Sequence, residues 1–172
     1  MRVIEVVEYQ ASWPSEFDRE KELILDTIGS LSPEVHHIGS TSVTGLSAKP
    51  IIDILVEVDD LDELDSFNDA LAKIGYTAKG ENEIAERRYF EKGGDFRSHH
   101  MHAFLRSSEN SRRHIAFRDY LQQDNIIAQE YAILKKSVAH SCNHDNDKYC
   151  NGKNKFIQYH EKQAIEWHAL NK

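Results

Sequence analysis

No apolar run in this 172-residue chain approaches the roughly 20 residues that a bilayer-spanning helix needs. The opening stretch, Met1-Arg2-Val3-Ile4-Glu5-Val6-Val7-Glu8, is broken by acids and does not read as a signal peptide. Cysteine is scarce: two residues cannot form a disulfide framework, and without a secretion signal they point to a reducing, cytoplasmic setting. A cationic surplus is also missing. The net charge of -8 argues against broad binding to nucleic acid or anionic membrane, while leaving room for a local basic pocket. There is no internal repeat and no low-complexity linker. Gly39 to Gly45 is not a phosphate-binding P-loop, because no Gly-Lys-Ser/Thr follows it. No Gly-x-Ser-x-Gly nucleophile turn is present. His140, Cys142, His144 and Cys150 lie close together, but their spacing fits no standard zinc site, and they fall in a polar stretch between helices.

The length suits one domain, residues 1–172, divided into an α/β core over 1–108 and a helical part over 109–172. Such a chain buries roughly 70% of its unfolded surface without covalent staples. Residues 2–9 read as an edge strand or an extended arm. Trp13-Pro14-Ser15-Glu16 opens a helix, with Pro14 near its first turn and Phe17, Leu23, Ile24 and Ile28 forming a partial stripe. Strands are expected over 35–39 and 51–58, the second apolar enough to be buried on both faces. A helix is expected from Asp59-Asp60 through Ile74. A hairpin over 85–92 and 97–106 turns at Gly93-Gly94-Asp95. Helices follow at about 111–123, 125–140 and 147–169.

One segment carries most of the chemistry. The first strand runs into the small-residue turn Gly39-Ser40-Thr41, where backbone N–H groups can approach an anion closely. The next strand, Ile51-Ile52-Asp53-Ile54-Leu55-Val56, carries one carboxylate in an apolar run. A charge buried there is costly unless it is paired or coordinated. Asp53 is therefore a candidate metal ligand, with a salt-bridged structural aspartate as the alternative.

The ordered set His37-Ile38-Gly39-Ser40-Thr41-Ser42-Val43, Ala48-Lys49-Pro50-Ile51-Ile52-Asp53, His100-Met101-His102, Phe117-Arg118-Asp119-Tyr120-Leu121, Tyr131 with Leu134-Lys135, and Tyr149 with Lys153 and Phe156-Ile157 closely resembles the GrpB family of small bacterial proteins. The likeness runs from about Tyr9 to about Ala164. It implies an α/β (α+β) nucleotidyltransferase-like fold, a mixed β-sheet flanked by helices with a helical C-terminal part. A related domain is fused to some dephospho-CoA kinases. The resemblance implies a fold and a pocket, not a substrate.

A nucleotidyltransferase needs a cradle for phosphates, carboxylates for Mg²⁺ and a positioned nucleophile. Gly39, Ser40 and Thr41 match the cradle, and Asp53 matches the first metal carboxylate. The second carboxylate usually stands two residues on, where this chain has Leu55. Glu57 is roughly 13 Å along the strand, too far to share an ion with Asp53, and reads as a solvated strand end. Strand alternation puts His100, His102 and Phe104 on one face and His99 on the other. The two imidazoles could contact a phosphate or a metal, and His102 could act as a base; the alternative is a pair hydrogen-bonded into the sheet. Arg88 and Lys49 are candidates to hold phosphate oxygens. Arg118, Tyr131, Lys135, Tyr149 and Lys153 would form a local anion site if gathered to one cleft. Otherwise they are ordinary helix surface.

Three readings follow. The first is a transferase moving a nucleotidyl or phosphoryl group with Mg²⁺. The second is a non-catalytic module binding a nucleotide or CoA-like ligand, supported by Leu55. The third is a protein-interaction domain using the helical part. The expected partner is a nucleotide or phosphorylated small molecule, with no membrane role.

Overall fold

A computed structural model describes residues 2–171. Helix α1 (Trp13–Ile28) starts with Pro14 in its first turn and buries Trp13, Phe17, Glu20, Ile24 and Ile28 as one stripe. Strand β1 (Glu34–Ile38) leads through the Gly39 turn and a loop to β2 (Ile52–Val58). Two short helices, α2 (Leu61–Asp65) and α3 (Asn68–Lys73), precede β3 (Tyr76–Ala78), β4 (Arg88–Lys92) and β5 (His99–Leu105). Three helices complete the chain: α4 (Glu109–Gln123), α5 (Asn125–Ser141) and α6 (Asn146–Leu170). Polar side chains cap most of these starts. Asp60, Ser108, Asp124 and Asp145 each accept from the first free N–H groups of α2, α4, α5 and α6.

The sheet order is β1-β2-β5-β4-β3. The β2–β5 pair is parallel and every other pair is antiparallel, so the sheet is mixed. Residues of one parity along β2, Ile52, Ile54, Val56 and Val58, pack with Met101 and Ala103 against α1, Leu64 and Leu71 in the largest core. The opposite parity points to α4–α6. There Leu55 and Phe104 pack with Ile38 and half-buried Ile115, while Asp53 stands nearer the start of the strand. A second small core joins Val43 and Leu46, from the loop after β1, to Leu121, Ala128 and Ala132. A third places Ile4 of the N-terminal segment on Cys142 and Tyr149. That segment is an extended arm, bridged to the loop at Val7 and Ala48.

Several expectations change. The helix expected from Asp59-Asp60 to Ile74 is two helices. The Ser66 N–H bonds to Glu63 and that of Phe67 to Leu64, tight three-residue closures that interrupt the α ladder. Tyr76, expected only to end that helix, opens a three-residue edge strand paired with β4. The expected strand start at Ala85 is delayed to Arg88, because Asn82, Glu83 and Glu86 adopt positive φ. Glu57 is not a solvated strand end. It is 5% exposed, accepts the Ser107 N–H at 2.7 Å and bonds the His36 ring at 3.0 Å. A buried carboxylate must be satisfied in this way or it would destabilise the strand.

Ile54 is fully buried between α1 and the sheet. Ile54→Ala should lower the unfolding free energy by about 2–5 kcal/mol. Urea denaturation should show this as a lower midpoint with an unchanged slope.

Candidate functional site

The parallel register sets Asp53 beside His100 and Leu55 beside His102. Both imidazoles therefore reach the same carboxylate: Asp53 Oδ1 lies 3.4 Å from His100 Nδ1 and 3.5 Å from His102 Nε2. Each far ring nitrogen faces an arginine. Arg97 Nη1 is 3.1 Å from His100 Nε2, and Arg87 Nη1 is 3.3 Å from His102 Nδ1. A guanidinium can only donate, so those two nitrogens are acceptors and the protons sit on the nitrogens that face Asp53. Both rings are then neutral donors to one ionised carboxylate. Burial alone would raise the Asp53 carboxyl, but the neighbouring His100 and His102 together outweigh it and hold the group well below the ordinary carboxylate range. Burial lowers His102 in turn, against the pull of Asp53, which agrees with a neutral ring. The free ring nitrogen of His102, Nδ1, faces Arg87 Nη1.

Arg87 does more than hold a ring. It is buried, and it also donates to the carbonyls of Glu81 and Asn82, pinning the left-handed loop before β4. No sequence pattern separates it from the neighbouring Arg88. Arg88 points the other way and pairs with Asp65 at 2.8 Å and Asp62 at 3.3 Å, so it is not part of this cleft. Arg118 donates to the His37 carbonyl and pairs with Asp119, bracing β1 rather than lining the cavity.

Gly39 works by closeness. Its φ is +72°, and a Cβ there would stand 2.7 Å from Asp53 Oδ2, so any larger residue would push the carboxylate aside. Ser40 and Thr41 follow it into the wall of a cavity of about 360 Å³. Asp53 and His100 line it together with Lys49, Lys135, Tyr149 and Lys153. The Asp53 side chain stays 31% exposed, so the carboxylate opens onto the cavity although its backbone is in the sheet.

The three lysines come from the β1–β2 loop, α5 and α6. Among the described residues none of them makes an ion pair; they lie on aromatic faces instead. Lys49 and Lys153 sit 4.6 Å and 4.3 Å from the Tyr149 ring centre, and Lys135 sits 4.5 Å from that of Tyr131. Lys135 is 1% exposed and donates to the Ser47 carbonyl at 2.5 Å. Burial, with Lys153 next, pushes Lys135 down to about 6. Burial and then Lys153 push Lys49 down to about 8, and burial lowers Lys153 as well. Tyr131 is itself buried and acts as the shelf under Lys135. Tyr89, Glu91 and Cys150 also border the cavity without having been expected there. Tyr89 and Glu91 were legible in principle, because they alternate on β4 opposite His102 and His100.

The one trio of metal-capable side chains among the described residues whose ligand atoms lie within 4.8 Å of one another is Glu34, His36 and Glu57. Its acceptors are already used by Ser107 and Arg106, and it sits at the far end of β2 from Asp53. Asp53 and its two histidines, at 3.4 and 3.5 Å, do not form such a set.

The mixed sheet with helices on both faces, and a carboxylate at the start of β2 facing the turn after β1, define a nucleotidyltransferase-like fold. Solved structures of that class agree: Cid1 in complex with the UTP analog UMPNPP superposes with a TM-score of 0.52 at 15% identity, covering 76% of this chain and 41% of Cid1. The family described as GrpB protein matches residues 3–163, and the chain belongs to it. The crystal structure of the conserved protein GrpB from Enterococcus faecalis is similar at 38% identity with a TM-score of 0.91, over 95% of this chain and 99% of that one. The UPF0157 protein YqkA of Bacillus subtilis is 42% identical over 96% of this chain, which spans 48% of YqkA's length. A dephospho-CoA kinase of Mycolicibacterium paratuberculosis is similar at 24% identity, with this chain spanning 46% of its length. Among the described residues no helix is long and apolar enough to cross a membrane.

Nitrogen-15 spectra of the imidazoles at pH 7 should show His102 protonated at Nε2 and His100 at Nδ1. A spectrum showing either ring in the opposite tautomer, or doubly protonated, would contradict the arrangement.

Proposed function

We propose that the cleft binds a nucleotide or another phosphorylated small molecule, with its phosphates on Lys49, Lys135 and Lys153. Residues 1–108 and 109–172 would act together, since the lysines come from both. The observation that carries this reading is the lysine cluster itself. An acidic protein brings three lysine side chains into one cavity, buries one of them and gives none a carboxylate partner among the described residues. Such an arrangement destabilises the charged forms until an anion arrives. Ser40 and Thr41, on the turn that Gly39 opens, would add hydrogen bonds to phosphate oxygens.

Group transfer with Mg²⁺ is the finer reading, and Asp53 favours it. A carboxylate fixed in its ionised form, with Oδ1 taken by two N–H donors and Oδ2 toward Gly39, suits a hard cation. Asp53, the Ser40 hydroxyl and the ligand's own phosphate oxygens would hold Mg²⁺, which commonly needs only one or two carboxylates beside phosphate. When bound, the ion would neutralise charge on the transferring group. His100 and His102 keep Asp53 charged and oriented. The face position that usually carries a second carboxylate is Leu55, fully buried against Phe104. A binding module without chemistry is therefore the alternative.

Proton linkage tests the cluster. A lysine whose pKa is depressed in the free protein must gain a proton to hold an anion, so binding takes up protons and weakens as pH rises. Calorimetry of inorganic tripolyphosphate at pH 8, in two buffers of different ionisation enthalpy, should show net uptake of about one proton. Lys135→Met should remove most of the uptake. Absence of binding, or net proton release, would overturn the reading. Asp53→Asn separates the two finer versions. If the extra thermal stabilisation given by Mg²⁺ with a nucleoside triphosphate vanishes in this variant, the metal-holding version stands. If nucleotide stabilisation never depends on Mg²⁺, the binding module stands.

A further inference from the structure

A second cavity of about 310 Å³ adjoins the cationic one, and the two share Arg2, Lys49 and Ile51 in their walls. Its chemistry differs. Its outer walls are Val3 of the N-terminal arm and Phe96 of the β4–β5 loop, which are 65% and 93% exposed. A single exposed phenylalanine is ordinary. This one is held out by a rigid loop. The Phe96 N–H bonds the Gly93 carbonyl at 3.0 Å, and the Ser98 N–H bonds the Lys92 carbonyl at 2.9 Å. Gly93 has φ +103°, and a Cβ there would stand 2.4 Å from the Phe96 oxygen, so the tight turn needs glycine. The next residue, Arg97, is tied down by Glu91 at 2.9 Å and by His100 at 3.1 Å. The loop backbone thus holds the Phe96 position out toward solvent while its neighbour reaches back to the Asp53 centre.

We infer that this groove takes a flat heterocycle, the base of a nucleoside polyphosphate, with Phe96 as its stacking face. This rests on the reading of the cationic cleft as a phosphate site, and it narrows the ligand class from phosphorylated small molecules to nucleotides. Charge and continuity select that occupant. The shared wall at Lys49 holds the anionic end, and a ligand spanning both cavities must change there from charged to apolar. A base is apolar on its faces and polar at its edges, which suits a groove that combines Val3, Pro50, Ile51 and Phe96 with the polar groups of Glu5, Asp95 and Arg97. A sugar phosphate or inorganic polyphosphate would leave Phe96 and Val3 uncovered.

Calorimetric titration of the full chain with the four ribonucleoside triphosphates, beside inorganic tripolyphosphate, tests this. At least one nucleotide should bind tighter than tripolyphosphate. Phe96→Ala should weaken that nucleotide roughly tenfold and leave tripolyphosphate unchanged, while Phe96→Trp should retain nucleotide affinity. Equal affinity of tripolyphosphate and every nucleotide for the unaltered chain would overturn the inference. So would a Phe96→Ala variant that binds nucleotide as before; in both cases the phosphate site would stand. If neither tripolyphosphate nor any nucleotide binds, the phosphate site fails and the base groove fails with it.

Discussion

The site depends on one ionised carboxylate held inside a sheet. Asp53 sits in an apolar strand, where an unpaired charge would cost several kcal/mol. Two neutral imidazoles make that charge tolerable by donating to Oδ1, and two arginines keep the imidazoles in the donating tautomer. Parallel pairing of β2 with β5 puts both histidines within reach. The same arginines extend the arrangement outward. Arg87 fixes the loop before β4, and Arg97 fixes the loop that displays Phe96. The geometry of the cleft walls is thereby tied to the charge at its floor.

Across the cavity the electrostatic problem is reversed. The lysines are partly or fully withdrawn from water and rest on the rings of Tyr131 and Tyr149. Asp53 stabilises their charged forms at a distance but is engaged by the histidines, so it compensates them incompletely. Asp53 and the three lysines thus share one cavity without pairing. The cavity is thereby left with incompletely compensated groups, poised rather than optimised for stability.

Much of the fold was legible. The apolar run of β2, the helix start at Asp60 and the Gly93-Gly94 turn all act over a few residues, where local physics dominates. The break between α2 and α3 was not, because Leu61, Leu64, Phe67, Leu71 and Ile74 keep a helical spacing while Ser66 and Phe67 close tighter turns. Nor was β3, three residues long and dependent on β4 for its hydrogen bonds. At the site, Ser40, Asp53, His100, Lys49, Lys135, Tyr149 and Lys153 were singled out by residue type together with a family resemblance, and they converge. Arg88 was preferred to Arg87 because adjacent identical residues differ only in which way the chain turns them. Glu57 looked solvated because its partners, His36 and Ser107, belong to other elements.

The sequence by itself determined the fold family and the roster of chemical groups, since periodicity, turn residues and an ordered motif set are properties of the chain. Tertiary structure alone decided how those groups act. Whether a histidine donates or accepts, whether a lysine is paired or isolated, and whether a carboxylate stays charged depend on neighbours up to a hundred residues distant. Those neighbours are brought within hydrogen-bond range only when the sheet register and the helix packing are fixed.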